Sequence, residues 1–109
     1  MNTFQVQFIS PNNQILFDKV ISLSANGLEG EFVVLVNHSS HLIYLLPGIV
    51  VIRMNRKLEK VVIGSGIMKI IASDCTIFSN QIQIFNRIIH NEKSLKRKGI
   101  DVQLNYYFN

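Results

Sequence analysis

The chain has 109 residues, of which 48% are hydrophobic and 17% charged, a composition that suits one compact domain and argues against wholesale disorder. The formal net charge of +4 is unevenly placed, because the first 85 residues carry six basic and five acidic side chains whereas the last 24 carry five basic and two acidic. No signal-peptide pattern opens the chain, and the longest apolar stretch is broken by Pro47-Gly48, so any membrane association is expected to be peripheral.

The first residues alternate between apolar and polar side chains. Phe4, Val6 and Phe8 share one side, and this period of two predicts a half-buried strand that ends at the turn signal of residues 10–13. Similar patterns predict further short strands over residues 14–17, 19–24, 32–36, 42–46, 49–53, 57–63, 67–72, 76–78 and 81–86.

Three of these segments carry more specific expectations. Residues 32–36 are continuously apolar and rich in valine, which favours a strand covered on both faces. Residues 25–30 contain two glycines and are predicted to be a loop. The strands around Met54-Asn55-Arg56 predict a hairpin. Many short strands at regular spacing indicate a mainly β protein, a sandwich or a barrel.

The pattern changes at Asn86. The segment NRIIHNEKSLKRK, residues 86–98, predicts a short basic helix that ends before Gly99, with Glu92 four residues ahead of Lys96. The last ten residues are predicted to be a strand or disordered. We therefore expect two parts, a β domain over residues 1–85 and a short basic tail over residues 86–109.

The segment EGEFVVLVNHSSHL, residues 29–42, raises the question of a metal site. Glu31, His38 and His41 carry ligand atoms, but the histidines lie three apart in a predicted loop rather than on one helix face. No further ligand cluster follows in the sequence. We predict neither a metal nor a cofactor.

Nucleophilic catalysis is also poorly supported. Ser39 and Ser40 stand between the two histidines, but no Gly-x-Ser-x-Gly motif is present, so a small hydrolase is the weakest of the alternatives. The single cysteine, Cys75, is predicted to be a buried strand residue in a protein of a reducing compartment. The chain is therefore not expected to be an enzyme.

The basic tail allows a second class of function. The run KSLKRK could contact nucleic acid or anionic lipid, which would make the protein a free-standing β-sandwich binding module. No aromatic side chain interleaves with these basic residues, and we expect no nucleic acid partner.

The order of segments resembles the N-terminal domain of the epsilon subunit of bacterial rotary ATP synthases, called delta in mitochondria. The matching positions cover about residues 4–85 and are Ser10-Pro11, Leu16-Phe17, Glu29-Gly30-Glu31-Phe32, Val34-Leu35, His38, Leu45, Pro47-Gly48 and Gly64-Ser65-Gly66. The positions that depart from the family pattern are Val33, Val36, Asn37, Ser40, Leu46 and the exchanged Gly64-Ser65.

The resemblance implies a flattened antiparallel β-sandwich with a C-terminal helical part, which is short in this chain. It also implies a non-catalytic subunit in the central stalk of a proton-translocating synthase, peripheral on the cytoplasmic side of the bacterial inner membrane. The implied partners are the gamma subunit, the c-ring and, through the tail, the alpha/beta catalytic head. The implied contact residues for gamma and the c-ring are Glu29, Glu31, His38, Ser39 and His41.

Overall fold

The computed structural model describes residues 2–36 and 39–85, and these form a mainly β domain. The nine strands of the described residues are β1 (Phe4–Ser10), β2 (Asn13–Gly27), β3 (Gly30–Leu35), β4 (His41–Leu45), β5 (Gly48–Met54), β6 (Lys57–Ile63), β7 (Gly66–Ile71), β8 (Asp74–Ser79) and β9 (Ile82–Ile84). The predicted β-sandwich is confirmed.

The long strand β2 belongs to both layers of the sandwich. Its first half pairs with β1, and the order continues through β8 and β7 to β4. Its second half pairs with β3 on one edge and with β5 on the other, and that layer continues through β6 to β9. Among the described strands every pairing is antiparallel except β1–β8, which is parallel.

The core lies between the two layers and follows the alternation of the sequence. In β1 the side chains of Phe4, Val6 and Phe8 are buried, as the period of two predicts. Phe8 packs edge-to-face on Phe17 of β2, with ring centroids 5.9 Å apart. The other fully buried positions come from β2, β3 and β5–β8, and they include Leu23, Val34, Ile52, Val61, Met68 and Ile77.

Residues 14–17 and 19–24 are strand, as predicted, but the break between them and the loop predicted for residues 25–27 and 30 are wrong. A single strand runs from Asn13 to Gly27, and it changes register near Lys19, which has a φ of 56°. Ala25 and Gly27 are buried and pair with β3, so the glycine near the end of this segment extends the strand instead of ending it. The turn that follows contains only Leu28 and Glu29.

The expectation that residues 32–36 are covered on both faces is also wrong. Val34 is buried, but Val33 and Leu35 are 51% and 54% exposed. The reason is that β3 is paired only with β2 within the described residues, and its outer face meets no other layer. By contrast, the hairpin of β5 and β6 is confirmed, with Met54 paired to Lys57. The predicted helix over residues 86–98 lies outside the described residues.

Candidate partner-contact site

A cleft opens on one side of the sandwich, between β3 and β4. Its volume is about 540 Å³, and its lining combines the turn after β2 with residues of both strands. The turn is held against β4 by two backbone hydrogen bonds: the Leu28 amide donates to the Tyr44 carbonyl at 3.3 Å, and the Leu46 amide donates to the Asn26 carbonyl at 2.9 Å. The end of β4 is therefore fixed to the end of β2, and the cleft lies between β4 and the strand that leaves the turn, β3.

Gly27 allows the end of β2 to lie close to β4. It pairs with Leu45, and a β-carbon placed on it would lie 3.2 Å from a ring carbon of Phe32 and 3.3 Å from the Tyr44 carbonyl oxygen. Both distances are tighter than ordinary van der Waals contact, so a larger residue would push β4 away from the turn.

Three of the residues predicted from sequence line this cleft together. Glu29 lies in the turn, Glu31 is the second residue of β3, and His41 begins β4. Ser39 lies beside them, with its hydroxyl 3.0 Å from the Nε2 atom of His41. His38 lies outside the described residues. The cleft lining contains two carboxylates and no lysine or arginine, so it is an acidic surface.

The Ser39–His41 contact has the length of a hydrogen bond, but both residues are exposed at the surface. Within residues 2–36 and 39–85, no three His, Cys, Asp or Glu side chains are grouped so that they could hold a metal ion. Burial raises the pKa of the Cys75 thiol to about 12, so this residue remains a protonated core side chain at neutral pH, as predicted.

The two ends of the sandwich differ in charge. The end that carries the cleft has Glu29 and Glu31. At the opposite end, the β5–β6 turn, the neighbouring part of β2 and the start of β8 carry side chains of both signs: Asp18, Lys19, Arg53, Arg56, Lys57 and Asp74. Lys57 there forms an ion pair of 3.1 Å with the largely buried Glu59. An approaching cation would be attracted to the cleft end more than to the mixed end.

A second surface was not predicted from the sequence. The register aligns Tyr44, Ile67, Phe78 and Ile9 in one row across β4, β7, β8 and β1. Tyr44 and Phe78 are 56% and 45% exposed, and the row lines a shallow apolar depression of about 750 Å³. We call these four residues the apolar row. Each of the four strands contributes one residue to the apolar row. The residues become neighbours only through the pairing register of the strands, which cannot be read from the sequence.

No helix in the described part of the chain reaches the length and hydrophobicity that crossing a membrane demands. Residues 3–84 match the family model described as the beta-sandwich domain of the ATP synthase delta/epsilon chain. The chain is 55% identical to an ATP synthase epsilon chain of Wolbachia pipientis subsp. Culex pipiens (strain wPip), with 97% of this chain and 95% of that relative covered. It is 51% identical to the epsilon chain of Wolbachia pipientis wMel, with 97% and 94% covered.

Solved structures show the same fold at lower identity. A chain from the central stalk/c-ring structure of Tetrahymena thermophila mitochondrial ATP synthase aligns with a TM-score of 0.65 and 19% identity, covering 75% of this chain and 66% of that one. A chain of the Euglena gracilis mitochondrial ATP synthase aligns with a TM-score of 0.71 and 22% identity, covering 87% and 62%. The match over residues 3–84 and the two close relatives show that the chain belongs to the ATP synthase delta/epsilon family, as an epsilon chain and thus a non-catalytic subunit.

Proposed function

We propose that this subunit works in the central stalk of a proton-translocating rotary ATP synthase, where it binds gamma and the c-ring and couples their rotation to ATP synthesis. The observation that carries the proposal is the similarity to epsilon chains over 97% of the sequence. It favours a stalk subunit over the free-standing binding module that the basic tail alone would allow. The complex would place the subunit peripherally on the cytoplasmic side of the bacterial inner membrane.

We assign the c-ring contact to the acidic cleft. Glu29 and Glu31 project from a turn and from the start of an edge strand, and no lysine or arginine of the cleft neutralises them. A surface of this kind attracts a basic loop, and the family resemblance implies such a loop on the c-ring. His38, Ser39 and His41 would lie at the margin of the same contact.

We assign the gamma contact to the apolar row. Tyr44, Ile67, Phe78 and Ile9 form a continuous apolar surface across four strands of one sheet face. The next residues toward the other end are Leu42, Lys69, Thr76 and Gln7, so the apolar surface continues only along β4. Aromatic side chains in such a position are typical of contacts that contribute much of the binding energy in protein interfaces.

Co-expression with gamma from the same genome tests the central proposal. We expect a stoichiometric complex that survives gel filtration, and we expect Phe78→Ser to weaken it at least ~tenfold, because an exposed aromatic anchor often contributes 2 kcal/mol or more. Leu58→Ser, at a similarly exposed apolar side chain on β6 of the other layer, is the matched control. If gamma does not bind the native chain at micromolar concentration, the stalk assignment fails.

We propose the division at residue 85 as a functional one. Residues 2–36 and 39–85 form the sandwich, and the basic tail of residues 86–109 would contact the alpha/beta head only weakly. At ~1.5 Å per residue, a helix over residues 86–98 would be only ~20 Å long. Deletion of residues 87–109 should therefore change ATP hydrolysis by the assembled complex by no more than about twofold, ~0.4 kcal/mol in a barrier. A tenfold rise would show that the tail inhibits.

A further inference from the structure

Two short turns lie side by side at the cleft end of the sandwich. Gly64 and Ser65 connect β6 to β7, and Asn80 and Gln81 connect β8 to β9. The turns are neighbours because the first residue of β7 pairs with the last residue of β8. Ser65 and Asn80 line the apolar depression that contains the apolar row. The two turns therefore form one rim of this depression.

The side chain of Ser79 joins the two turns. Ser79 is only 7% exposed, and its hydroxyl donates to the Ser65 carbonyl at 2.9 Å. The same oxygen accepts from the Gln81 amide at 3.4 Å. A second bond runs directly between the turns, from the Gly64 amide to the Gln81 carbonyl at 3.2 Å. A buried hydroxyl that both donates and accepts fixes its neighbours, because loss of either bond leaves a polar group unsatisfied.

Asn80 determines which residue fits at position 64. A β-carbon on Gly64 would lie 2.4 Å from the Oδ1 atom of Asn80 and 3.3 Å from its Cγ atom. The Oδ1 atom is also 3.4 Å from the Ser79 hydroxyl oxygen. A side chain at position 64 would therefore displace the amide group of Asn80 from its place beside Ser79.

The sequence departs from the family pattern at this place, because Gly64 and Ser65 stand in exchanged order. The family order would put a serine side chain at position 64, against Asn80. In this chain the serine lies at position 65, where it is exposed and lines the apolar depression. The exchange therefore leaves room for Asn80 and adds a hydroxyl group to the rim.

We propose that Ser79 and Asn80 are positioning residues for the gamma contact, because they fix the Gly64-Ser65 turn at the rim of the apolar row before gamma binds. The inference rests on the proposed function, which assigns gamma to that row. A surface that already has its bound conformation loses less conformational freedom on binding. A turn that samples other conformations lowers the fraction of subunits that can bind, and the apparent affinity falls by that fraction.

Binding kinetics of the full chain with gamma from the same genome test the positioning role. We expect Ser79→Ala to slow association about two- to tenfold and to leave dissociation unchanged, because only the binding-competent fraction decreases. Phe78→Ser removes a contact and should mainly speed dissociation. Ser73→Ala, in the exposed turn at the other end of β7 and β8, is the matched control and should change neither rate.

The outcomes separate this inference from the function on which it rests. If gamma binds the native chain and Ser79→Ala has native rate constants, or changes only dissociation, the positioning role is overturned and the gamma contact stands. If gamma does not bind the native chain, the stalk assignment fails and the positioning role fails with it.

A thermodynamic cycle tests the steric part of the proposal without gamma. We expect Gly64→Ser to lower the urea midpoint of the native chain. In an Asn80→Ala background the same substitution should cause no loss, because the Oδ1 and Cγ atoms that obstruct a side chain at position 64 are absent. An equal loss in both backgrounds would overturn the role of Asn80, whatever the result with gamma.

Discussion

The two ends of the sandwich obtain their tight turns in different ways. At the end with the acidic cleft, glycines stand where strands meet closely or where φ is positive: Gly27, Gly30 and Gly66. At the opposite end, three ordinary residues have positive φ values of 54–61°: Lys19, Arg56 and Ala72. One end depends on the absence of a side chain, and the other tolerates left-handed backbone in residues that disfavour it.

The two ends therefore differ in how they tolerate substitutions. At the cleft end an added β-carbon would clash with neighbouring atoms. A β-carbon on Gly66 would lie 2.4 Å from the carbonyl oxygen of Phe78, which is main chain and cannot move alone. At Lys19, Arg56 and Ala72 there is only a local conformational cost, on the order of 1–2 kcal/mol each. Substitutions at the cleft end should therefore destabilise the protein, and glycine substitutions at the other end should stabilise it.

The largest effect is expected for Gly66→Ala. Relief of the contact with the Phe78 carbonyl requires β7 and β8 to separate, so we expect a loss of about 2–3 kcal/mol in the free energy of unfolding, measured by urea denaturation. Gly64→Ala is the matched control, since its β-carbon would meet the movable side chain of Asn80 at the same 2.4 Å. Equal losses in the two variants would contradict the distinction between main-chain and side-chain obstacles.

A smaller loss, about 1–2 kcal/mol, is expected for Gly27→Ala. The added β-carbon would lie 3.2–3.4 Å from its neighbours rather than 2.4 Å, and only one of them, the Tyr44 carbonyl, is main chain. The loss should be local. The amide of Leu28, which donates to Tyr44, should exchange faster, while the amides of β5 and β6 keep their relative protection. Uniform loss of protection across both layers would show that the turn does not act locally.

The opposite sign is expected for Arg56→Gly, which removes the penalty of a left-handed arginine in the β5–β6 turn. The gain should be about 0.5–1 kcal/mol, since glycine also increases the entropy of the unfolded chain. Asn55→Gly, in the same turn but without a positive φ, should lose about 0.5 kcal/mol instead. A thermal denaturation series of the two variants against the native chain measures both values.

The smallest effect on stability is expected for Glu31→Lys at the cleft end. Glu31 is exposed, so the free energy of unfolding should change by less than ~0.5 kcal/mol. Coupling of ATP hydrolysis to proton pumping in assembled membranes should nevertheless fall, if the c-ring contact is as proposed. Gln81→Lys adds a charge to an exposed position at the same end and is the control. An unstable Glu31→Lys variant with normal coupling would reverse the assignment.

Local patterns predicted the parts of the fold that depend on neighbouring residues. The β5–β6 hairpin and the inward side chains of β1 follow from alternation over a few positions. Exposure of Val33 and Leu35 could not be predicted in this way, because it depends on whether another layer covers the outer face of β3. The loop predicted over residues 25–30 was based on its two glycines. Gly27 is instead a strand residue that allows the close approach of β4.

The candidate site, like the fold, was predicted only where its residues are near one another in the sequence. Glu29 and Glu31 were identified from the family motif and His41 from the segment that follows it, and the structure brings the three to one cleft. The apolar row was missed because Tyr44, Ile67, Phe78 and Ile9 come from four strands far apart in sequence. Such a surface exists only when the register between strands is known.

The parallel pairing of β1 with β8 has a consequence for how the chain reaches this fold. Gln5 lies opposite Asp74 and Ile9 opposite Phe78. The pairing of β1 with β8 can therefore form only after almost seventy more residues have been synthesised. The β1–β2 and β5–β6 hairpins can form early from local contacts, but closure of the sandwich is a late, long-range event. Proteins dominated by such contacts fold in roughly milliseconds to seconds. During synthesis on the ribosome, we expect the hairpins to form separately and the sandwich to close only after β8 has emerged.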